Sequence, residues 1–236
     1  MGSNSRIVHL ALKVMDLERA TRFYEDVFGF RQTGTGYARG HVSRHMTDGA
    51  LDLALMVYDN EDVHEAQLSG AGPCIHHFGI EVPDRDAAMS NIVAHGGEII
   101  SDPKEGALKF RAPNGTVAEI VRAGRYRKAV TGDGVRIAGL AITTRDSRES
   151  SDFYSAVFGF EPAPDGRQLT DGTFIVTLLD GANSEAPVHH HWTIQVSDVA
   201  HFANAIEQHG GVAVAQGPEF LYRTPDGSLL ELSPTA

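Results

Sequence analysis

The sequence predicts an α+β fold: two tandem halves, each a pair of strand–helix–three-strand modules joined in a cup-shaped, eight-stranded mixed sheet with the helices outside. The first observation behind this is a recurring opening. His76-His77-Phe78-Gly79-Ile80-Glu81-Val82 alternates as a half-buried strand does, and Pro83-Asp84 leads from it into an apolar-periodic, helix-like segment. The same order occurs at 8–14 before Asp16, at 139–144 before Asp146 and at 191–196 before Asp198. Secondly, Phe153-Tyr154-Ser155-Ala156-Val157-Phe158-Gly159-Phe160 echoes Phe23-Tyr24-Glu25-Asp26-Val27-Phe28-Gly29-Phe30, 130 residues on. Thirdly, His209-Gly210-Gly211 echoes His95-Gly96-Gly97, and Thr224-Pro225-Asp226-Gly227 ahead of Glu231 echoes Ala112-Pro113-Asn114-Gly115 ahead of Glu119. Self-similarity at matched landmarks marks an internal repeat.

Taken in order, residues 1–6 form a polar leader without an apolar signal core. The first half, 7–122, holds two modules. In the first, Asp16 is the expected N-cap of a helix over 17–27, whose Leu17, Ala20, Phe23, Tyr24 and Val27 share one face. Gly29 is its C-cap. Three strands follow, and Asp48-Gly49 before Leu51-Asp52-Leu53-Ala54-Leu55-Met56-Val57 signals a hairpin. Residues 59–72 carry no periodicity and read as a connecting loop. The second module starts at His76, with a helix over 86–95 stopped by Gly96-Gly97 and a last strand over 116–121. A charged, glycine-containing linker, 123–134, leads to the second half, 135–236, whose modules repeat the first two.

Composition narrows the function classes. The 236 residues are 42% hydrophobic and 22% charged, an ordinary globular balance, and the net charge of -11 is spread along the chain. Nucleic-acid binding is excluded because phosphate contacts need a clustered basic face. No apolar run approaches the roughly 18 residues of a membrane span. The one cysteine, Cys74, allows no intrachain disulfide and is expected to be a buried, inert thiol in a cytoplasmic protein. The expected partner is a small-molecule substrate, with a homodimer allowed.

Three residues of metal-ligand type fall at special places. His9 and His77 stand at the same position, the head of the first strand in modules one and two. Glu119 lies in the last strand of module two, on the core side if Val117 and Val121 also point inward. Pairing the modules about a pseudo-twofold axis would bring the three together. Two imidazoles and a carboxylate on one face of an ion form the facial triad suited to Fe(II), with Mn(II), Zn(II) or Ni(II) as alternatives. Tyr37, Arg39, His41, Ser43 and His45 share one parity along a strand-like stretch. Tyr37, His41 and His45 are therefore the acid–base candidates, against the plainer reading of a solvent-facing polar strand. His76, of opposite parity to His77, is expected to be structural.

The strand opening His9-Leu-Ala-Leu-Lys-Val with Asp-Leu-Glu-Arg-Ala, the Phe-Tyr-x-x-Val-Phe-Gly-Phe segments and Pro113-Asn114-Gly115 ahead of Glu119 resemble the vicinal oxygen chelate superfamily. That group includes glyoxalase I, methylmalonyl-CoA epimerase, fosfomycin and bleomycin resistance proteins and type I extradiol dioxygenases. The resemblance spans 7–234 and implies one divalent metal that chelates adjacent oxygens of a substrate. Glyoxalase-like and epimerase-like members add a fourth ligand from the last strand of module one. Here the expected slot is Leu53 or Leu55, with Asp52 at the other parity, so a three-ligand site and a ring-cleaving dioxygenase are favoured. Extradiol-like members, however, carry a tyrosine and a histidine shortly before the ligand glutamate, where this chain has Lys109 and Phe110. The alternatives are a glyoxalase- or epimerase-like lyase or isomerase, and a metal-free drug-binding protein, which would have no need of all three ligands. The second half keeps His191 and Glu231 but has Gly139 in place of the first histidine. It is expected to be structural, or a lid and dimer surface, and His189-His190-His191 to be a polar entry into a strand.

Overall fold

The computed structural model describes residues 5–101, 108–126, 134–181, 189–215 and 220–235. Most of the expected leader, through Asn4, and linker positions 127–133 lie outside the described residues. Module one comprises β1 (Arg6–Lys13), α1 (Leu17–Phe28), β2 (Arg31–Ala38), β3 (His41–Thr47) and β4 (Asp52–Tyr58). Module two comprises β5 (Cys74–Val82), α2 (Arg85–Ala94), β6 (Glu98–Ile99), β7 (Leu108–Arg111) and β8 (Val117–Arg122). Module three comprises β9 (Arg136–Thr144), α3 (Ser147–Phe158), β10 (Glu161–Pro162), β11 (Gln168–Thr170) and β12 (Ile175–Asp180). Module four comprises β13 (His189–Val196), α4 (Val199–Gln208), β14 (Val212–Ala213), β15 (Leu221–Arg223) and β16 (Leu229–Pro234). The strands form two eight-stranded mixed sheets, ordered β2-β3-β4-β1-β5-β8-β7-β6 and β10-β11-β12-β9-β13-β16-β15-β14. That is the predicted fold class, two tandem halves with one repeated sheet order.

Each helix starts where an aspartate in extended conformation turns its carboxylate onto the first free N–H groups. Asp16 accepts from Arg19 N, Asp146 from Arg148 N and Glu149 N, and Asp198 from His201 N. In module two the cap is Asp84, which accepts from Asp86 N and Ala87 N, so α2 begins at Arg85 and not at Asp86. Gly29 and Gly159 close α1 and α3 at φ +68°, the left-handed conformation that glycine adopts without a Cβ penalty. The segment at 59–72 is more ordered than its composition suggests. It contains a 3-10 turn, His64–Ser69, because the buried Lys13 ammonium donates to Ala66 O (3.2 Å), Gly70 O (2.7 Å) and Glu61 Oε2 (3.0 Å).

The compact units of the structure do not coincide with the sequence halves. One unit joins modules two and three and includes the start of β1 through His9; the other joins modules one and four. In the module-one and module-four unit, Tyr24 packs on Trp192 (centroids 5.6 Å apart) and Phe28 stacks on Phe202 (5.7 Å, planes 4° apart). The Tyr24 hydroxyl donates to the buried Asp226 carboxylate. In the other unit, Phe110 packs on Phe153 (6.5 Å) and Phe158 (5.6 Å), and Phe78 on Tyr154 (6.3 Å). The Thr-Asp-Gly turns reinforce this exchange. Asp48 Oδ1 caps its own turn at Ala50 N and Leu51 N, while its Oδ2 accepts from Ile137 N at 2.7 Å. Asp171 does the same for Thr173 N and Phe174 N, and its Oδ2 accepts from Ile7 N at 2.7 Å. Each turn thus holds the opening strand of the other half.

Candidate metal centre

Strand alternation and register bring three polar side chains to one place. Phe78 on β5 and Phe110 on β7 point into the helix-side core, so their neighbours His77, Gly79 and Lys109 face the other way. Parallel pairing sets Gly79 beside Glu119 on β8, and antiparallel pairing sets Lys109 opposite Glu119. His77, Glu119 and Lys109 therefore share a face. His9, His77 and Glu119 present ligand atoms that all lie within 4.8 Å of one another. All three are buried, at 2%, 2% and 3% exposure, and the two imidazole centroids are 5.3 Å apart.

The donor set fits a divalent ion. His77 Nε2 lies 3.2 Å from Glu119 Oε2; two ligands bound cis at ~2.1 Å from one ion stand ~3 Å apart. Glu119 Oε1 is buried and accepts no hydrogen bond among the described residues. A buried carboxylate oxygen left without a donor costs about 1–3 kcal/mol, and a cation beside it removes that cost.

Two residues of this site carry signals that the sequence reading passed over. Lys109 is buried at 4% exposure beside Glu119, a rare location for a lysine; the strand register is what turns it inward. Gly79 makes room for a ligand: a Cβ there would lie 2.9 Å from His9 Cβ and 2.9 Å from Val121 Cγ2. Comparing the repeats could have revealed the second. Where the first half has His9 and Gly79, the second has Gly139 and Thr193, and Thr193 pairs with Glu231 as Gly79 pairs with Glu119.

The acid–base candidates divide between two faces. A turn at Arg39-Gly40 separates β2 from β3, so the stretch from Tyr37 to His45 is not one continuous strand. Tyr37 pairs with Val42, whereas His41, Ser43 and His45 pair with Tyr58, Met56 and Ala54. The expected shared parity thus holds for His41 and His45 and fails for Tyr37. Tyr37 is 66% exposed and donates to Asp59 Oδ2 at 2.6 Å, and that bond to a carboxylate raises its pKa. His41 is buried with its ring 4.9 Å from Tyr58. His45 Nδ1 donates to Asp52 Oδ2 at 2.8 Å.

Register also corrects the fourth-ligand slot. Ala54 and Met56 cluster with Ala11, and Asp52 shares their parity. Alternation along β1 gives His9 the same side as Ala11. Leu53 and Leu55 are fully buried at the opposite parity, where α1 packs on β4. Asp52, and not either leucine, shares the β4 face of Ala54 and Met56, and it is engaged by His45. His76 is structural as expected, fully buried and donating from Nε2 to Glu65 O at 2.8 Å. Cys74 is half-buried and not fully buried as expected, and its partial burial raises the thiol.

In the second half, His191 Nε2 lies 3.3 Å from Glu231 Oε2, and the Thr193 hydroxyl donates to the same oxygen at 2.9 Å. The His191 bond holds the Glu231 carboxyl below its usual range. Among the described residues, no group of three ligand-type side chains includes His189, His190 or His191, which form the start of β13. We expect His191→Ala to leave metal stoichiometry unchanged, as read by elemental analysis of the purified protein; loss of all bound metal would place the centre in the wrong half.

A family model described as the Glyoxalase/Bleomycin resistance protein/Dioxygenase superfamily matches residues 6–120 and again 136–232. No curated protein matches the sequence. Among solved structures, a mutant of 4-hydroxymandelate synthase from Streptomyces coelicolor superimposes with a TM-score of 0.70 at 16% identity, covering 97% of this chain and 92% of that one. The Mn(II)-bound glyoxalase from Novosphingobium aromaticivorans gives 0.70 at 17% identity, covering 98% and 83%. The 2,3-dioxygenase LapB from Pseudomonas sp. KL28 gives 0.64 at 15%, covering 98% and 92%. At these identities the likeness is one of fold. No helix among the described residues is long and apolar enough to cross a membrane.

Proposed function

Because the chain belongs to the Glyoxalase/Bleomycin resistance protein/Dioxygenase superfamily, we propose that it is a divalent-metal-dependent enzyme acting on a small substrate with two adjacent oxygens. Within that class we favour an oxygen-dependent, ring-cleaving dioxygenase using Fe(II). The observation that carries the metal reading is the convergence of His9, His77 and Glu119 around a buried carboxylate oxygen that no hydrogen bond satisfies. When bound, the ion supplies Lewis-acid or redox activation of the two substrate oxygens.

The chain's own residues then divide the work. His9, His77 and Glu119 would hold the ion. Lys109, beside Glu119 on the same sheet face, offers an ammonium to an anionic substrate oxygen. His45 is the proton-handling residue: Asp52 fixes its Nδ1 as donor, which directs Nε2 to accept or return a substrate proton. His41, buried against Tyr58, lines the same face of β3, and Tyr37 acts, if at all, from outside it. A centre of three protein ligands leaves open positions, which suits the dioxygenase; a lyase or isomerase with a fourth ligand is the second reading.

The test is metal content after purification without added metal, followed by oxygen-electrode assays on aromatic diols. Iron with substrate-dependent oxygen uptake supports the dioxygenase. Zinc, nickel or manganese without oxygen uptake moves the assignment to a lyase or isomerase, and failure to bind any divalent ion overturns the metal enzyme in favour of a binding protein.

A further inference from the structure

We propose that Tyr126, in the segment leaving the Glu119 strand, is a positioning residue for His9; the inference rests on the metal reading above. Its ring lies parallel to the His9 imidazole, with centroids 4.6 Å apart and planes 7° apart. The route by which it arrives there is built into the chain. After β8 ends at Arg122, Arg125 N donates to Arg122 O at 3.1 Å and closes a four-residue turn. Gly124 stands third in that turn at φ +75°, the place where a type II turn requires positive φ. Glu81 Oε2 accepts from Gly124 N at 2.7 Å and ties the turn to β5, the strand of His77. The strands bearing the other two ligands therefore set the place of the tyrosine. Arg125 adds a cation 5.6 Å from the Tyr126 centroid.

Backbone also crowds His9. Gly79 brings bare backbone so close that an added Cβ would stand 2.9 Å from His9 Cβ and 3.2 Å from His9 Cδ2. The terminal torsion of a histidine is broad, so an unconfined imidazole samples many ring planes and only some present a nitrogen to the ion. Stacked on the Tyr126 ring and crowded by Gly79, His9 loses that freedom before the metal arrives, and pre-organised ligands bind more tightly for that reason. The stack is a property of the ring. It follows that an apolar ring should serve as well as tyrosine, and a side chain without a ring should not.

The experiment uses the full chain and two readouts. In the metal-free protein, the His9 ring protons should be shifted upfield by the Tyr126 ring current in NMR spectra; Tyr126→Phe should keep the shift and Tyr126→Leu should lose it. In Co(II) titrations followed by visible absorption, Tyr126→Leu should bind about three- to tenfold more weakly, as an aromatic pair of this kind implies, with an altered band shape. Tyr126→Phe should match wild type, and Glu81→Ala, which loosens the turn from a distance, should weaken binding in the same direction. Wild-type shifts and affinity in Tyr126→Leu would overturn the proposal alone. So would a Tyr126→Phe protein as impaired as Tyr126→Leu, since that would assign the role to the hydroxyl. A wild-type protein that takes up no Co(II) would instead sink the metal reading and this proposal with it.

Discussion

Glu119→Gln should lower divalent-metal affinity by roughly 100-fold or more while changing the stability of the metal-free protein little. The two effects differ in size for one reason. Glu119 is buried at 3% exposure, with Oε1 accepting no hydrogen bond among the described residues. Without an ion, His77 Nε2 at 3.2 Å and Lys109 on the same face already offset the carboxylate, and the isosteric amide keeps its shape. With an ion, the same charge is the one anionic partner among the three ligands, and removing one member of a buried charge pair costs about 3–5 kcal/mol. At 1.4 kcal/mol per tenfold, that is on the order of two to three decades. Thermal denaturation with and without Mn(II), set beside calorimetric titration, separates the two. Wild type should gain stability on adding metal and the variant should gain almost none. If the variant bound and turned over like wild type, Glu119 would not be a ligand and the three-residue centre would fail.

Residues 1–126 and 127–236, produced separately, should each fail to reach a cooperatively folded state, and co-expression should restore one. Either piece alone would expose one side of both aromatic cores: Tyr24 and Phe28 would lose Trp192 and Phe202, and Phe110 would lose Phe153 and Phe158. Uncovering a single buried aromatic costs on the order of 2–3 kcal/mol, and several are uncovered at once against a typical total stability of only 5–15 kcal/mol. Near-ultraviolet circular dichroism and denaturant melts would decide it. A sharp, independent transition in either piece would show that the halves are self-sufficient.

Much of the candidate site is legible because its signals are local or repeated. His9 and His77 were found by their equivalent places in two copies of one strand opening, and Glu119 by its place after a Pro-Asn-Gly turn. Helix starts at Asp16, Asp146 and Asp198 followed from capping chemistry, which acts within three residues. The errors arose where pairing partners decide direction. A two-residue turn at Arg39-Gly40 reverses the chain between Tyr37 and His41, so a shared odd numbering placed Tyr37 on the wrong face. Alternation along β4 gives Asp52 the parity of Ala54 and Met56, and the packing of those two on Ala11 is what identifies that face.

By itself, then, the sequence determined the repeat, the module grammar and the identity of the ligand-type residues, since these depend on residue type, spacing and short-range hydrogen bonds. Only the tertiary structure decided which faces those residues occupy, that Lys109 is buried beside Glu119, and that Tyr126 lies against His9. It also decided that module one shares a core with module four, and module two with module three. Such pairings form between residues more than a hundred positions apart, where no local propensity acts. They are chosen by which apolar faces cover one another, and a linear pattern records that each face is apolar without recording its partner.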